Sequence, residues 1–80
     1  MSTLGGSPAT AFATGVRFDE KMVHVQLSDG REISAPLDWF PKLRNATPVQ
    51  RAHWKLIGKG VGIHWDDLDE DLSVAGLLSA

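Results

Sequence analysis

The chain has 80 residues, 42% of them hydrophobic and 22% charged, and this near-average composition excludes two domains and intrinsic disorder. Its formal net charge is −2 and it has no cysteine, which excludes disulfides and thiolate-bound metals as sources of stability. No apolar run approaches the about 20 residues that span a bilayer, and the first residues do not resemble a signal peptide, so we expect a cytoplasmic protein that has no contact with a membrane.

The first part of the chain predicts an unstructured lead followed by a β-meander. Residues 1–12 are rich in Ser, Thr, Gly and Ala without apolar periodicity, so we expect a disordered lead to one domain at residues 13–80. From Thr14 onward apolar and polar residues alternate, which predicts three antiparallel strands with one face in the core. Asp29-Gly30 joins the second and third strands, because glycine accepts a positive φ in a tight hairpin. The apolar residues of this pattern are Val16, Phe18, Val23, Val25, Leu27, Ile33 and Ala35.

Two short helices are expected to follow the meander and to pack on one of its faces. Asp38 is positioned to cap the first, over residues 39–44, in which a proline is tolerated because it lies in the first turn. The second begins with a capping box, which needs a Thr cap and a Gln at the third helical position, and ends near Trp54. The residues expected to cover the sheet from the first helix are Trp39, Phe40 and Leu43, and those of the capping box are Thr47, Pro48 and Gln50.

A short strand pair and a last helical turn complete the expected fold. The strand-like runs 55–57 and 62–65 flank Gly58-Lys59-Gly60, which is typical of a turn between two strands. Ser73 is positioned to cap the final turn. The sequence therefore predicts an α+β fold: a three-stranded antiparallel meander, two short helices on one face, a short strand pair and a C-terminal helical turn.

The order of these motifs resembles the domain-of-unknown-function family 2442. The motifs are Asp29-Gly30-Arg31, Pro36-Leu37, Phe40-Pro41-Lys42-Leu43, Ala46-Thr47-Pro48, Gly58-Lys59-Gly60 and Ile63-His64-Trp65 followed by Leu68-Asp69-Glu70-Asp71-Leu72. The resemblance covers residues 13–78 and implies a small bacterial α+β domain with no established catalytic residues. Many members of the family stand alone beside a gene for another small protein, which implies an arrangement like that of a toxin and its antitoxin.

The charges are separated along the chain into a basic segment and an acidic segment. The basic segment, residues 42–59, contains Lys42, Arg44, Arg51, Lys55 and Lys59. The acidic segment, residues 66–71, contains Asp66, Asp67, Asp69, Glu70 and Asp71. Two interpretations stay open, because the segments can lie side by side and neutralise one another, or each can face a separate partner.

The acidic segment also has the beginning of a calcium-binding pattern. Asp67, Asp69 and Asp71 have the spacing of the first three ligands of an EF-hand loop. The match fails at Leu72, where that loop requires glycine, and at Leu78, where it requires a bidentate glutamate. We therefore interpret the segment as a solvated acidic turn.

The remaining reactive residues form no recognisable motif. His24, His53 and His64 lack metal-ligand spacing, and we expect three partly exposed histidines, with His24 on the polar face of its strand. The serines lie in turn, strand and cap contexts without a nucleophile elbow, and the glycines after residue 57 lack the spacing of a phosphate-binding loop. The sequence therefore predicts no enzymatic activity, cofactor or metal.

Two functional hypotheses follow from these observations. The leading one is a non-catalytic protein-interaction or regulatory module, such as an antitoxin-like partner of a small neighbouring protein, which binds that protein through its acidic segment or accepts a strand at a free sheet edge. The alternative is a nucleic-acid-binding regulator that uses the basic segment. The sequence pI of 5.8 argues against the alternative, because dedicated nucleic-acid-binding domains have values above about 9.

Overall fold

Residues 11–79 are described by a computed structural model, and their strands form two three-stranded antiparallel sheets. The first sheet has the order β1-β2-β3 and the second the order β4-β5-β6. The strands are β1 Ala13–Phe18, β2 Met22–Leu27, β3 Glu32–Pro36, β4 Trp54–Ile57, β5 Gly62–Trp65 and β6 Glu70–Ser73. The helices are α1 Pro41–Arg44, α2 Pro48–Ala52 and α3 Val74–Ser79, with 3₁₀ turns at Leu37–Trp39 and Asp66–Leu68. The predicted α+β class is confirmed.

The first sheet is the predicted meander, with its apolar face in the core. Val25 of β2 lies between Val16 and Ile33 of the neighbouring strands, and Val23 is similarly flanked by apolar residues. Gly30 has a φ of 91°, so the prediction that Asp29-Gly30 forms the hairpin turn with glycine at a positive φ is confirmed.

The second sheet contains one strand more than the sequence predicted. The expected pair β4 and β5 is present, but the second half of the acidic segment forms β6 and is therefore not a solvated turn. Leu72 of β6 pairs with Ile63 of β5 and is only 3% exposed. Asp69 reverses the chain before β6 with a φ of 49°, a left-handed conformation that Asp tolerates better than most residues. Acidic residues have low strand propensity, which is why the alternation did not reveal β6.

The first helix differs from the expectation in its start and in its exposed tryptophan. Asp38 makes no capping bond and instead bonds to the Arg44 guanidinium at 3.1 Å, and α1 begins only at Pro41. Trp39 is 57% exposed and so does not cover the sheet, which is a correction to the sequence prediction. Leu43 takes that place and is fully buried.

The second helix has the predicted start. The Gln50 amide donates to the Thr47 hydroxyl at 3.1 Å and the Thr47 amide donates to the Gln50 side chain at 2.9 Å, which confirms the capping box. The helix ends at Ala52, earlier than expected, because Trp54 already belongs to β4. At the C-terminal end the Gly76 amide donates to the Ser73 hydroxyl at 3.0 Å, as a cap of α3 requires.

A backbone contact joins the two sheets at one end of their edge strands. The Ala13 amide of β1 donates to the Gly60 carbonyl oxygen at 2.7 Å. Gly60 has a φ of 105°, and a Cβ atom built on it would lie 2.5 Å from the Ala13 carbonyl oxygen, so only glycine fits there. Ala11 is 5% exposed and the Phe12 carbonyl oxygen accepts from the Ser28 amide, so these two residues pack on the domain and do not form part of a lead. The rest of the expected lead lies outside the described residues.

Trp65 occupies the centre of the core between the sheets and α2. Its side chain is fully buried, and its ring meets the Phe18 ring edge to face, with centroids 6.2 Å apart. The indole Nε1 donates to the Arg51 carbonyl oxygen at 3.0 Å. The Arg51 guanidinium in turn lies over the Phe18 ring, 5.1 Å from its centroid. Among residues 11–79, no helix is long and apolar enough to cross a membrane.

Candidate functional site

An open groove lies between β1 and α2, and the β1–β2 turn and β4 also contribute to its lining. Its volume is about 490 Å³, and its lining is mostly apolar. The lining residues are Val16, Phe18, Asp19, Glu20, Pro48, Arg51, Ala52 and Trp54, and we name this feature the β1-edge groove. Trp54 belongs to β4, which is an edge strand of the second sheet, so the groove is bordered by edge strands of both sheets.

The backbone of β1 presents free hydrogen-bonding groups towards this groove. The Asp19 amide donates to the Met22 carbonyl oxygen at 3.0 Å, so this residue pair is hydrogen-bonded across β1 and β2. Because hydrogen-bonded and non-hydrogen-bonded pairs alternate along antiparallel strands, the backbone of Arg17 also faces β2. The N–H and C=O groups of Val16 and Phe18 therefore point away from β2. Within residues 11–79 these groups have no backbone partner on that side.

One end of the β1-edge groove is acidic. Asp19 and Glu20 are both exposed there, in the turn between β1 and β2. The pKa of Asp19 falls from 3.8 to about 2, first because its carboxylate bonds to the His24 ring and then because it accepts backbone N–H groups from Lys21 and Met22. The carboxylate is therefore ionised at neutral pH, and the groove has an apolar floor with negative charge at this end.

The polar face of the first sheet contains a hydrogen-bonded Ser-His-Asp line that the sequence did not predict. The His24 Nδ1 atom lies 2.6 Å from the Ser34 hydroxyl, and its Nε2 atom lies 2.7 Å from an Asp19 carboxylate oxygen. His24 is only 8% exposed, so the expectation of a partly exposed histidine is wrong for this residue. Burial results because Asp19, Ser34 and the Arg17–Glu32 ion pair surround the ring on a face that alternation marks as polar.

This Ser-His-Asp line is better suited to fixing the sheet than to acyl transfer. Ser34 lies inside β3, where successive backbone N–H groups point in opposite directions and cannot converge on an oxyanion beside its hydroxyl. The Asp19 carboxylate also accepts the Lys21 and Met22 amides of the β1–β2 turn, so the same carboxylate holds the turn and the His24 ring. The line joins that turn to β3 across β2.

The residues of the acidic segment lie close together but are largely engaged within the domain. The Asp66 carboxylate contacts Lys55 at 3.0 Å and His64 at 2.7 Å, and the Asp67 carboxylate contacts His53 at 3.2 Å. Asp71 contacts the other ring nitrogen of His64. This contact first, and the charges of Asp71 and Asp66 with it, raise the pKa of His64 above its ordinary value. For Asp69 and Glu70, no ion pair is present among the described residues.

The residues of the basic segment are also used inside the domain. The Arg51 guanidinium donates to the carbonyl oxygens of Leu43 and Arg44 at 2.9 and 3.0 Å while it covers Phe18. Lys42 donates to the Asp69 carbonyl oxygen at 3.1 Å. With the Lys55–Asp66 pair, these contacts place part of the basic segment against part of the acidic segment, as the neutralisation interpretation expected. Lys59 lies in the β4–β5 turn, and binding of nucleic acid by the basic segment stays a prediction.

The chain belongs to the family described as protein of unknown function (DUF2442), which matches residues 13–80. This confirms the resemblance found in the sequence motifs. A crystal structure of a protein of unknown function from Rhodospirillum rubrum is 32% identical, with a TM-score of 0.71 and coverage of 86% of each chain. A solution structure of an uncharacterised protein from Chromobacterium violaceum is 26% identical, with a TM-score of 0.74 over 89% of this chain and 67% of that chain. No curated protein matches the chain.

Proposed function

We propose that this domain is a non-catalytic protein-interaction module that binds an extended segment of another protein along the free edge of β1. The observation that carries the proposal is that the β1-edge groove coincides with backbone groups of Val16 and Phe18 that have no backbone partner among residues 11–79. A peptide that adds to a sheet edge gains main-chain hydrogen bonds, and its alternate side chains enter the neighbouring groove.

The lining of the groove defines the chemistry of the segment that fits. Pro48, Ala52 and Trp54 offer apolar surface, so side chains at alternate positions of the segment should be apolar. The charges of Asp19 and Glu20 favour a lysine or arginine at one end. The family resemblance implies a small neighbouring protein, and a neighbour with such a basic segment would make the domain its antitoxin-like partner in the cytoplasm.

The test is a differential capture with variants that change only the edge of β1. Val16→Pro removes an N–H group that the β1–β2 ladder does not use, and proline is tolerated at such positions on edge strands. Val49→Ala is the matched control, because Val49 is 63% exposed on α2 and does not line the groove. Val49→Ala should retain the melting transition of the parent chain, whereas Val16→Pro also loses a side chain that packs against the core, so it should melt at a lower temperature and still be folded at the temperature of the capture.

A protein retained from a native extract by the parent and by Val49→Ala, and lost by Val16→Pro, would support the proposal. Retention of the same protein by all three chains would contradict binding at the β1 edge. Nucleic acid that co-purifies with all three, and that is lost when Lys42 and Lys59 are replaced, would support the alternative function instead.

A further inference from the structure

Trp39 is a large aromatic side chain held in an exposed position by a well-ordered turn. It ends the 3₁₀ turn Leu37–Trp39, and the Phe40 amide closes that turn on the Leu37 carbonyl oxygen at 2.8 Å. The Phe40 carbonyl oxygen accepts from the Arg44 amide at 2.9 Å, which ties the same backbone to α1. Trp39 is 57% exposed despite this fixed backbone. More than half of its surface is therefore accessible to a ligand.

Trp39 and Phe40 form two walls of a small pocket at the edge of the second sheet. Their rings pack edge to face, at an interplanar angle of 67° and with centroids 6.5 Å apart, and both residues line the pocket. The pocket has a volume of about 230 Å³. The other lining residues come from β6 and α3 and are Asp71, Leu72, Ser73, Gly76 and Leu77. Two aromatic residues, residues of β6 and α3, and one acidic residue therefore line one space.

The charge around this pocket is negative. Asp71 lines it, and Asp69 and Glu70 precede Asp71 on the chain. Two basic residues contact this region, because His64 contacts Oδ1 of Asp71 and Lys42 donates to the Asp69 carbonyl oxygen. Among residues 11–79, no described contact involves the Oδ2 atom of Asp71. An incoming cation could therefore pair with this oxygen while both internal contacts remain.

We propose that the pocket formed by Trp39, Phe40 and Asp71 binds the side chain of a lysine or arginine from a basic segment of a partner protein. The aromatic faces attract the cation, because their negative quadrupole faces it, and the carboxylate adds a direct charge contact. The aliphatic stem of such a side chain packs on Leu77, which is partly exposed in the lining, as the stems of lysine and arginine do on apolar surfaces. This pocket gives the acidic segment a specific ligand chemistry, and it is carried by different residues from those of the β1-edge groove.

The experiment is an NMR titration that follows the indole N–H signals of the three tryptophans. The probes are a short acetylated, amidated peptide with several lysines and the same peptide with norleucine in place of lysine, which keeps the stem and removes the charge. The lysine peptide should shift the Trp39 signal and not that of the fully buried Trp65, and the norleucine peptide should shift neither. High salt should weaken the interaction.

Two variants test the separate parts of the pocket. Trp39→Leu removes the ring and keeps apolar bulk, and Asp71→Asn removes the charge and keeps hydrogen-bonding groups. Each should weaken binding of the lysine peptide by about two- to fivefold, the range for an exposed cation–π or ion-pair contact. For Trp39→Leu, which lacks the reporter signal, the amides of Leu72 and Leu77 serve in its place.

The matched control for charge is Asp38→Asn, because Asp38 is next to Trp39 in the sequence but does not line the pocket. Its affinity for the lysine peptide should equal that of the parent. Equal shifts from the lysine and norleucine peptides, or equal weakening by Asp38→Asn and Asp71→Asn, would overturn the proposal. Failure of the β1-edge experiment leaves these outcomes unchanged, since it concerns other residues.

Discussion

Replacement of Trp65 by alanine tests the centre of the described core. The side chain is fully buried, packs edge to face on Phe18 and donates to the Arg51 carbonyl oxygen. Loss of a buried aromatic side chain lowers the free energy of unfolding by about 3–5 kcal/mol. Trp65→Ala also leaves the Arg51 carbonyl oxygen without its donor, so we expect a loss in the upper half of that range. An 80-residue domain has a free energy of unfolding of about 4–12 kcal/mol, so Trp65→Ala should remove a large part of it.

Urea denaturation followed by far-ultraviolet circular dichroism measures this change. Trp39→Ala is the matched control, because it removes the same side chain from an exposed position and should cost about 0.5 kcal/mol. Trp65→Phe keeps a ring beside Phe18 but removes the indole donor, so its loss of unfolding free energy should lie between those of Trp65→Ala and Trp39→Ala. It should remain folded even if Trp65→Ala does not. Equal denaturation midpoints for the Trp65 and Trp39 alanine variants would refute the assignment of Trp65 to the core.

Further predictions concern the turns, the helix cap and the pH dependence of stability. Gly60→Ala should destabilise the fold by about 2–5 kcal/mol, because the new side chain combines a positive φ with a clash against the Ala13 backbone. Gly30→Ala should cost only about 1 kcal/mol, because Gly30 also has a positive φ but has open space around it. Thermal melts of the two variants check this difference. Thr47→Ala should cost about 1 kcal/mol in urea denaturation through loss of the capping box. The pKa of His64 is raised in the folded state, so protonated His64 stabilises the fold. This stabilisation is complete below pH 6.5 and is lost as the pH rises through the folded-state pKa. Denaturation midpoints measured across this pH range should fall for the parent chain, and His64→Gln should lack this fall. The pKa of Asp19 is lowered to about 2 in the folded state, so its ionised carboxylate stabilises the fold. This stabilisation is complete above pH 3.8 and is lost as the pH falls through about 2. Asp19→Asn should remove this part of the acid dependence of the denaturation midpoint.

The features that the sequence predicted correctly depend on local chemistry. The meander follows from alternation, the hairpin from the positive φ of Gly30, and the start of α2 from the reciprocal bonds of Thr47 and Gln50. Each of these signals involves residues that are close together in the sequence, so their physical causes can be read without knowledge of tertiary contacts.

The features that the sequence did not predict depend on contacts between distant residues. β6 exists because Leu72 pairs with Ile63 and is buried, although the acidic residues before it favour a solvated turn. His24 is buried by groups that converge on it from the two neighbouring strands and a turn, on a face that alternation marks as polar. The β1-edge groove is lined by residues of β1, the β1–β2 turn, α2 and β4, which are distant in the sequence and meet only in the tertiary fold.

The most direct test of the proposed strand addition is amide hydrogen exchange at Val16 and Phe18, measured in the free protein and in its complex with the captured partner. In the free protein these amides point away from β2 and should exchange faster than the amide of Arg17, which belongs to the ladder. In the complex both should become protected, because the added strand accepts their hydrogen bonds. Protection elsewhere on the domain, with Val16 and Phe18 exchanging as fast as before, would contradict binding at the β1 edge.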